Sequence, residues 1–292
     1  MKTNIVPDLI KTNSIDIDNV ITFSNSTRDK DNLNVKIDKL SGVIFIEDFF
    51  IGNAEYITGQ YKASTEEERY KDFENFEDYV DSSRRIDQFK ELILNKSICD
   101  FGCGAGSFLK LAQEFTSNVC GVEIQENYLN EINTSGIVVK ESMDNFNSQF
   151  DTIFSFHTLE HLPNQLEVLS SMRKHLKPEG NLVIEVPHAK DYLLNNLDIK
   201  EFKDFTLWSQ HLILHTKESL KKFLIHSGYK DIQINGFQRY NIANHYGWLK
   251  NRRPGGHKSD LVEIETPKLR EEYENALKKI DATDTIIAYA SV

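Results

Sequence analysis

Residues Cys99–Phe108 read CDFGCGAGSF, and the pattern of this stretch decides the fold of the chain. The apolar run Ser97–Phe101 predicts a short strand, and Ser107–Phe115 predicts the helix that follows it. Glycines at positions 102, 104 and 106 let the backbone turn tightly between strand and helix, and they present no Cβ to an approaching ligand. A strand, a glycine-rich turn and a helix in this order predict a ligand cradle at the carboxyl end of the strand.

Strands and helices alternate strictly after this turn. Such alternation predicts a parallel sheet with helices on both faces, and ligands of these sheets bind at the carboxyl ends of the strands. The further predicted strands are 118–123, 137–140, 150–156, 181–186, 231–237 and 285–290, and the further predicted helices are 126–133, 165–176 and 217–227.

Charge and hydropathy exclude several classes of protein. The chain of 292 residues has 34 basic and 45 acidic side chains, a formal charge of −11, which argues against a nucleic-acid partner. No apolar run approaches the roughly 18–20 residues that span a bilayer, and the amino terminus lacks the apolar core of a signal peptide. We therefore expect a cytoplasmic protein without a membrane span.

The cysteines and histidines do not suggest a metal centre. Cys99, Cys103 and Cys120 form no CxxC pair, and all nine histidines come after position 156. Acids and histidines do not cluster at ligand spacing, so no metal is expected.

The regions flanking the core differ in composition. Ser64–Asp81 holds eight acids and two bases, with Phe73, Phe76 and Val80 at helical spacing, and predicts an acidic helix that buries one aromatic face. We divide the chain into a small β-rich amino-terminal lobe (1–60), a helical segment over the cofactor site (61–96), the core (97–237), an inserted cap over the acceptor (238–283) and a closing strand (284–292).

Two acids define the expected cofactor. Asp100 stands at the end of the first core strand, and Glu123 ends the next strand, where a carboxylate suits a ribose diol. A dinucleotide fingerprint would require glycine at position 107, which is Ser107. The loop instead resembles the E/D-x-G-x-G-x-G loop of class I S-adenosylmethionine (SAM)-dependent methyltransferases.

This resemblance extends over about residues 90–190. FDTIFSFHTLEHL (Phe150–Leu162) is similar to the fourth strand and turn of the subgroup with an LEH signature, and LKPEGNLVIEVPH (Leu176–His188) is similar to its fifth strand. Within that subgroup the chain resembles sugar methyltransferases of bacterial surface-polysaccharide gene clusters. The resemblance implies a Rossmann-like, seven-stranded, mostly parallel sheet with helices on both faces.

The resemblance also implies a set of cofactor residues. Glu123 would take the ribose hydroxyls, and Arg84 or Arg85 would pair with the methionine carboxylate of SAM. The full implied set is Arg84, Arg85, Asp100, Gly102, Cys103, Gly104, Glu123, Ile124, Ser142, Met143, Phe156 and His157.

Methyl transfer to a hydroxyl needs alignment and a base near the attacking oxygen. His211 is the first candidate, since related enzymes place a Glu-His pair there, although this chain has Gln210-His211. His157 and His245 are further catalytic candidates. The expected acceptor-binding residues are His188, Trp208, Arg239, Tyr240, Asn244, His245 and His257.

The expected cap has a charge opposite to that of the whole chain. It contains Arg239, Lys250, Arg252, Arg253 and Lys258 and no acid from Phe237 to Ser259, which favours an anionic acceptor such as a nucleotide-linked sugar. In the sugar methyltransferases that the chain resembles, the amino-terminal region is often a small zinc knuckle. Ser41–Phe45 matches its turn while the cysteines are absent, so the resemblance implies the shape without the metal.

The sequence favours a SAM-dependent O-methyltransferase acting on a sugar or nucleotide-sugar in surface-polysaccharide biosynthesis. N- or C-methylation of another small molecule is an alternative, because an amine needs less help from a base. A non-catalytic scaffold with a SAM fold, binding a partner through the acidic helix, is a third possibility. The expected partner of the enzyme is a small molecule, and the oligomeric state stays open.

Overall fold

The computed structural model describes residues 4–47, 49–58 and 71–292. Its strands are β1 Val20–Ser24, β2 Val35–Asp38, β3 Ile44–Ile46, β4 Ser97–Phe101, β5 Asn118–Val122, β6 Val138–Lys140, β7 Phe150–Phe156, β8 Leu176–Pro187, β9 Ile213–Leu214, β10 Lys230–Phe237 and β11 Thr285–Ser291. Its α-helices are α1 Val6–Lys11, α2 Asn53–Thr58, α3 Lys71–Gln88, α4 Lys90–Ile93, α5 Ser107–Ala112, α6 Glu126–Thr134, α7 Gln165–Lys174, α8 Lys200–Thr206, α9 Lys217–His226, α10 Ile242–Asn251 and α11 Pro267–Lys279.

Seven strands form the central sheet in the order β10-β11-β8-β7-β4-β5-β6. The strands β8, β7, β4, β5 and β6 are parallel, while β11 is antiparallel to both of its neighbours. The expected seven-stranded, mostly parallel, Rossmann-like sheet is therefore confirmed.

Both faces of the sheet are covered, which explains the continuous apolar strands. Ile153 and Phe154 are neighbours in β7, and both are fully buried in hydrophobic clusters on opposite faces. Phe89 and Phe108 pack against Phe154 on one face, with ring centroids 5.6 and 5.2 Å from it. The parallel direction of β4, β5, β7 and β8 brings their carboxyl ends to one edge of the sheet.

A second sheet is antiparallel, with the order β1-β2-β3-β9. Its first three strands come from the predicted β-rich lobe, but β9 comes from the chain after β8, and its Leu214 pairs with Ile44. Gly42 in the expected knuckle-like turn has φ +75°, which suits glycine. Among the described helices, none is long and apolar enough to cross a membrane.

Helix α3 differs from the expected acidic helix over 64–81. It runs from Lys71 to Gln88, so it continues seven residues beyond the predicted end at Asp81. Val80 is 47% exposed and does not lie on a buried face. The side chains of Phe73 and Phe76, like residues 59–70, lie outside the described residues.

The chain between β10 and β11 forms helices α10 and α11, which the sequence analysis described only as a polar insertion. Asn241 caps α10, because its side chain accepts a hydrogen bond from the backbone N–H of Asn244 at 3.0 Å. Gly256 packs so closely on α10 that a Cβ there would lie 2.4 Å from the carbonyl oxygen of Ala243. The glycine is thus required by close packing within the insertion.

Candidate functional site

The glycine-rich turn after β4 is held by its surroundings. A Cβ at Gly102 would lie 2.2 Å from Thr158 Oγ1, and one at Gly106 would lie 2.8 Å from a methyl of Ile132. At Gly104, by contrast, no atom of the described chain lies within 4 Å of such a Cβ. All three glycines have positive φ, so the turn needs them for conformation, and Gly104 is the one that faces open space.

Glu123 ties this turn to the end of β5. Its Oε2 accepts a hydrogen bond from the backbone N–H of Gly104 at 2.8 Å, and its Oε1 accepts from those of Ile124 and Gln125 at 2.8 Å each. The backbone N–H groups of Gly102 and Cys103 donate to the Val122 carbonyl oxygen at 2.8 and 3.0 Å. The carboxylate is therefore held rigidly beside the open backbone of the turn.

Asp100 is buried under the turn, and its Oδ1 has no hydrogen-bond partner among the described residues. Burial raises its pKa to about 7, since the opposing field of Arg85 is too weak and Glu123 adds to the rise. Cys103, also buried, has a pKa raised by burial and by Asp100, so its thiol stays protonated. A buried carboxylate oxygen without a donor is a group that a cationic or hydrogen-bonding ligand would stabilise.

The two arginines expected at the methionine carboxylate both contact a protein carboxylate, Glu185. Arg84 donates to both oxygens of Glu185 at 2.9 Å, and Arg85 donates to its Oε1 at 2.6 Å. Burial opposes ionisation of Glu185, but Arg85, His157 and Arg84 hold its pKa well below the usual range. The sequence analysis missed Glu185, because an acid within an apolar strand gives no signal of the cations that fold onto it.

The residues expected near adenine differ in exposure. Ile124 and Ser142 are half-buried, and Ser142 Oγ accepts a hydrogen bond from the Asp144 N–H at 3.3 Å. The Met143 side chain is buried, with its sulfur 3.9 Å from Cys99 Sγ, so it belongs to the core.

Phe156, expected beside the sulfonium, is also a core residue. It is 8% exposed, and its ring stacks on that of Phe89 with centroids 5.8 Å apart. The Arg85 guanidinium lies over the ring at 4.2 Å. The ring therefore packs against the segment that carries Arg85.

His157 follows β7 in a left-handed conformation with φ +50°, which is costly for a residue with a side chain. Its Nδ1 lies 3.4 Å from Glu160 Oε1, and its Nε2 lies 3.3 Å from Glu185 Oε1. Burial opposes protonation, but the two carboxylates outweigh it and raise the pKa of His157. The strained backbone thus places an imidazole between two buried acids at the carboxyl edge of the sheet.

His211 lies beside the same group of residues. Its ring centroid is 5.0 Å from that of His161 and 5.4 Å from that of Trp208. One potential ligand atom of each of Glu160, His161 and His211 lies within 4.8 Å of the others. This cluster corrects the conclusion that acids and histidines do not group together, since residues distant in the sequence meet only in the fold.

Burial and the nearby His161 lower the pKa of His211 to about 3, so His211 is neutral near pH 7. Burial alone would raise the pKa of Glu160, but the contact with His157 and the electrostatic fields of His161 and His211 lower this pKa to about 2. Glu160 and His161 were predicted only as part of the LEH signature of this turn, with no role as a site. The LEH signature itself was the signal that marks them.

Gln210 does not support His211. Its Oε1 accepts a hydrogen bond from the Tyr56 hydroxyl at 2.7 Å, and its Nε2 donates to Ser209 Oγ at 3.0 Å. The carboxylate that stands near His211 is Glu160, on the turn after β7. The expected Glu-His pair is thus replaced by an acid from another part of the chain.

His188 and His245 occupy packed positions. His188 is buried with its Nδ1 3.0 Å from the Thr283 carbonyl oxygen, and burial lowers its pKa to about 4. His245 stacks on Tyr192, and its Nδ1 lies 2.6 Å from the Tyr273 hydroxyl. Burial lowers the pKa of His245 to about 4 as well. Both imidazoles are thus held by packing and hydrogen-bond contacts at the base of the insertion.

The insertion is bound to helix α3 through charged pairs. Arg239 Nη2 lies 2.5 Å from Asp81 Oδ2, and Lys258 Nζ lies 2.9 Å from Glu77 Oε1. His257 Nε2 lies 2.9 Å from the same oxygen of Glu77. Two of the five bases in the expected anion-binding patch therefore already face acids.

Further polar contacts join the residues expected to bind the acceptor. The Tyr240 hydroxyl donates to Glu77 Oε2 at 3.4 Å, and its ring centroid lies 5.2 Å from that of His257. His257 Nδ1 lies 3.2 Å from Asn244 Oδ1. Tyr240, Asn244 and His257 thus form one network with Glu77, whereas Trp208 belongs to the His161–His211 group.

Comparison with known proteins places this geometry in a family. A family model described as a methyltransferase domain matches residues 75–234. Ubiquinone biosynthesis O-methyltransferases from Hydrogenovibrio crunogenus and Shewanella pealeana are 26% identical over 122 residues and 27% identical over 106 residues. These matches cover 37% and 32% of this chain and 50% and 45% of those proteins, so the chain spans about half the length of the curated relatives it matches.

Solved structures agree in fold. A SAM-dependent methyltransferase from Archaeoglobus fulgidus has a TM-score of 0.51 at 19% identity, covering 74% of this chain and 94% of that one. A possible histamine N-methyltransferase from Thermotoga maritima has a TM-score of 0.51 at 14% identity, covering 80% of this chain and 97% of that one. Since the family model matches more than half of the chain, including the five parallel strands and the glycine turn, the chain belongs to the methyltransferase-domain family.

Proposed function

We propose that this protein transfers a methyl group from SAM to a hydroxyl of a small polar acceptor, with a sugar or nucleotide-linked sugar as the first class to test. One observation supports this most directly: Glu123 is fixed by the N–H of Gly104 at 2.8 Å, beside backbone that is open to a ligand. The histidines at the end of β7 lie at the same edge of the sheet.

The residues of the cradle fit a cationic cofactor. The open backbone at Gly104 leaves room for close approach, and Glu123 keeps one acceptor site, on Oε2, for a ribose hydroxyl beyond the three N–H groups it accepts. Asp100 and Asp78 add negative charge nearby, and Arg84 and Arg85 are already bound to Glu185. When bound, SAM supplies an electrophilic methyl group on a positively charged sulfur.

The chain must also position and activate the acceptor hydroxyl. His211 is neutral near pH 7 because burial and His161 lower its pKa to about 3, so it can take a proton only where a neighbouring negative charge stabilises the imidazolium. Glu160 supplies a fixed negative charge in the same cluster, which stabilises positive charge that develops there. We assign activation of the hydroxyl to this cluster, with His211 as the first residue to test.

The insertion supports a polar acceptor, since Tyr240, Asn244 and His257 offer hydroxyl, amide and imidazole groups. Pairing of Arg239 and Lys258 with acids weakens the argument for an anionic acceptor. A hydroxylated aromatic ring is the second candidate, because the matched relatives are named ubiquinone biosynthesis O-methyltransferases and Trp208 packs beside His211. The same experiments test two alternatives: methylation at nitrogen or carbon, and a scaffold that binds SAM without transferring its methyl group.

Binding and transfer are measured separately. Calorimetry with SAM is expected to give 1:1 binding, and Glu123→Ala is expected to weaken it about tenfold or more because a charge-assisted hydrogen bond is lost. A screen of nucleotide-sugars and dihydroxybenzoates, read by mass spectrometry, identifies the acceptor and the methylated atom. His211→Ala is expected to keep the SAM affinity and lose about 100-fold in turnover.

The control is His226→Ala, which changes an exposed histidine of α9 and should alter neither quantity. A folded wild-type protein that does not bind SAM contradicts the proposal. Binding of SAM with no transfer to either acceptor class favours the scaffold.

A further inference from the structure

The Glu160, His161 and His211 cluster has features that a proton-transfer role alone does not explain. Glu160 is 1% exposed, and neither carboxylate oxygen accepts a hydrogen bond from the described part of the chain. His211 Nδ1 is also buried, and it too has no hydrogen-bond partner among the residues described. Two residues of one cluster thus bury polar atoms without the hydrogen bonds that normally offset the cost of burial.

His161 is already held as a metal-binding histidine usually is. Its Nδ1 lies 2.9 Å from the carbonyl oxygen of Gln210, which can only accept, so Nδ1 carries the proton and Nε2 has the lone pair. Histidine ligands of metals commonly donate their second ring N–H to a backbone carbonyl in this way. The Trp208 ring, 5.7 Å from His161 and 5.4 Å from His211, restricts both imidazoles.

One neighbour offsets only part of the Glu160 charge. His157 Nδ1 lies 3.4 Å from Glu160 Oε1, beyond good hydrogen-bond distance, and His157 also contacts Glu185. A cation between Glu160, His161 and His211 would satisfy the buried carboxylate and the buried His211 nitrogen together.

We propose that Glu160, His161 and His211 bind a divalent transition-metal ion. One carboxylate and two imidazoles are a donor set that suits Zn²⁺, Mn²⁺ or Co²⁺. Their ligand atoms lie within 4.8 Å of one another, and ligands at about 2.1 Å in a tetrahedral site are roughly 3.4 Å apart. The cluster would therefore contract by about 1.4 Å or less per pair, which small side-chain rotations supply.

The inferred role rests on the proposed function. Three protein ligands leave at least one coordination position, which a hydroxyl oxygen of the acceptor can occupy. A bound cation lowers the pKa of such a hydroxyl, and its proton then passes to solvent while the oxygen stays on the cation. In this form His211 acts by holding the ion rather than by taking the proton itself.

The test measures metal binding without relying on activity. Full-length protein is freed of metal with a chelator and titrated with ZnCl₂ and with CoCl₂ alone. We expect one equivalent bound, visible absorption of the Co²⁺ form, and a raised melting temperature. Glu160→Gln and His211→Ala should each weaken binding by at least tenfold. His226→Ala, on the exposed face of α9, should bind like wild type.

Titration of SAM into the same samples separates the two proposals. If folded wild-type protein binds SAM but no stoichiometric metal, or if both cluster variants bind metal like wild type, the metal site is wrong and the proposed function stands. If one equivalent of metal depends on Glu160 and His211 but SAM does not bind, the metal site stands and the methyltransferase proposal fails. A Glu160→Gln variant that does not fold leaves His211→Ala to decide.

Discussion

Gly102 and Gly104 are both in the left-handed region of backbone conformation, but their surroundings differ. Their φ angles are +81° and +52°, and only at Gly102 would a Cβ meet another side chain, Thr158, at 2.2 Å. Backbone strain is common to both positions, and the steric clash belongs to Gly102 alone. Gly102 is therefore needed for packing within the fold, whereas Gly104 leaves the open side of the turn accessible to a ligand.

Substitution by alanine should therefore give opposite patterns at these two positions. Gly102→Ala is expected to cost about 3 kcal/mol in the free energy of unfolding, because it adds overpacking against Thr158 to backbone strain. Gly104→Ala is expected to cost only about 1 kcal/mol but to weaken SAM binding about tenfold, since its Cβ projects into the open cradle. Denaturant unfolding and calorimetry measure the two quantities.

Gly136→Ala is a matched control for strain, with φ +86° and no described atom within 4 Å of the added Cβ. It should resemble Gly104→Ala in stability and leave SAM binding intact. Equal losses of stability at Gly102 and Gly104 would show that the Thr158 contact does not matter.

Individual acids differed in how far the sequence revealed them. Asp100 and Glu123 stand at strand ends at a characteristic spacing, so their places in the cradle followed from local pattern. Glu160 and Glu185 act through Arg84, Arg85, His157 and His211, which reach them only in the folded chain. The partners of a buried charge are set by the packing of the folded chain, so they cannot be predicted from a single sequence.

At the level of elements, helix α3 binds the insertion through its last acidic turns. Arg239 contacts Asp81 through both Nε, at 2.7 Å, and Nη2, at 2.5 Å, and Asp81 is 6% exposed. Glu77 contacts His257 and Lys258 one turn earlier. The buried pair carries more energy than the half-exposed pair, because solvent screens it less.

Asp81→Asn is expected to lower the free energy of unfolding by about 2 kcal/mol, because Arg239 loses its charged partner in a buried site. Hydrogen exchange should quicken in the amides of Tyr240–His257 and stay unchanged in β7. The control is Glu131→Gln, which removes an exposed pair with Lys110 and should change neither quantity. Unchanged exchange in the insertion after Asp81→Asn would contradict the proposed link.

The pH dependence at Glu77 has a definite sign. Burial opposes the shift, but His257, Lys258 and Arg239 lower its pKa from 4.5 to about 2. The folded state therefore binds this proton less readily than the unfolded state, and the contribution of Glu77 is complete above pH 4.5 and lost as the pH falls towards 2. Links between α3 and the insertion thus persist at neutral pH.

Elements of the central sheet were predictable to within a few residues, since apolar strands and periodic helices carry local signals. Strand β9 was not, because it has two residues and exists only through its pairing with β3. Helices α10 and α11 were not predicted within the insertion, since Gly247 and several polar residues weaken the helical pattern. Local sequence patterns were enough to predict the central sheet, whereas β9, α10 and α11 depend on contacts between distant parts of the chain.

On the scale of the molecule, the amino-terminal lobe holds the segment that carries His211. Leu212 donates its N–H to the carbonyl oxygen of Glu160 at 2.9 Å, and its own carbonyl oxygen accepts from the N–H of Ile46 at 2.9 Å. Asp29 accepts hydrogen bonds from the N–H and the hydroxyl of Ser209, at 3.0 and 2.6 Å. These hydrogen bonds from the lobe therefore fix the position of His211 relative to Glu160. None of them involves the glycine turn.

Loss of this support should affect acceptor chemistry and spare the cofactor. Asp29→Ala is expected to leave SAM affinity within about twofold of wild type and to lower turnover by tenfold to 100-fold, since a displacement of about 1 Å at a reacting group has that effect. Hydrogen exchange of the Leu207–Leu214 amides should quicken at the same time. Asp31→Ala, an exposed acid on the same loop, is the control and should behave like wild type. If the two variants have equal turnover and equal exchange, the lobe does not position His211, and its small sheet serves stability alone.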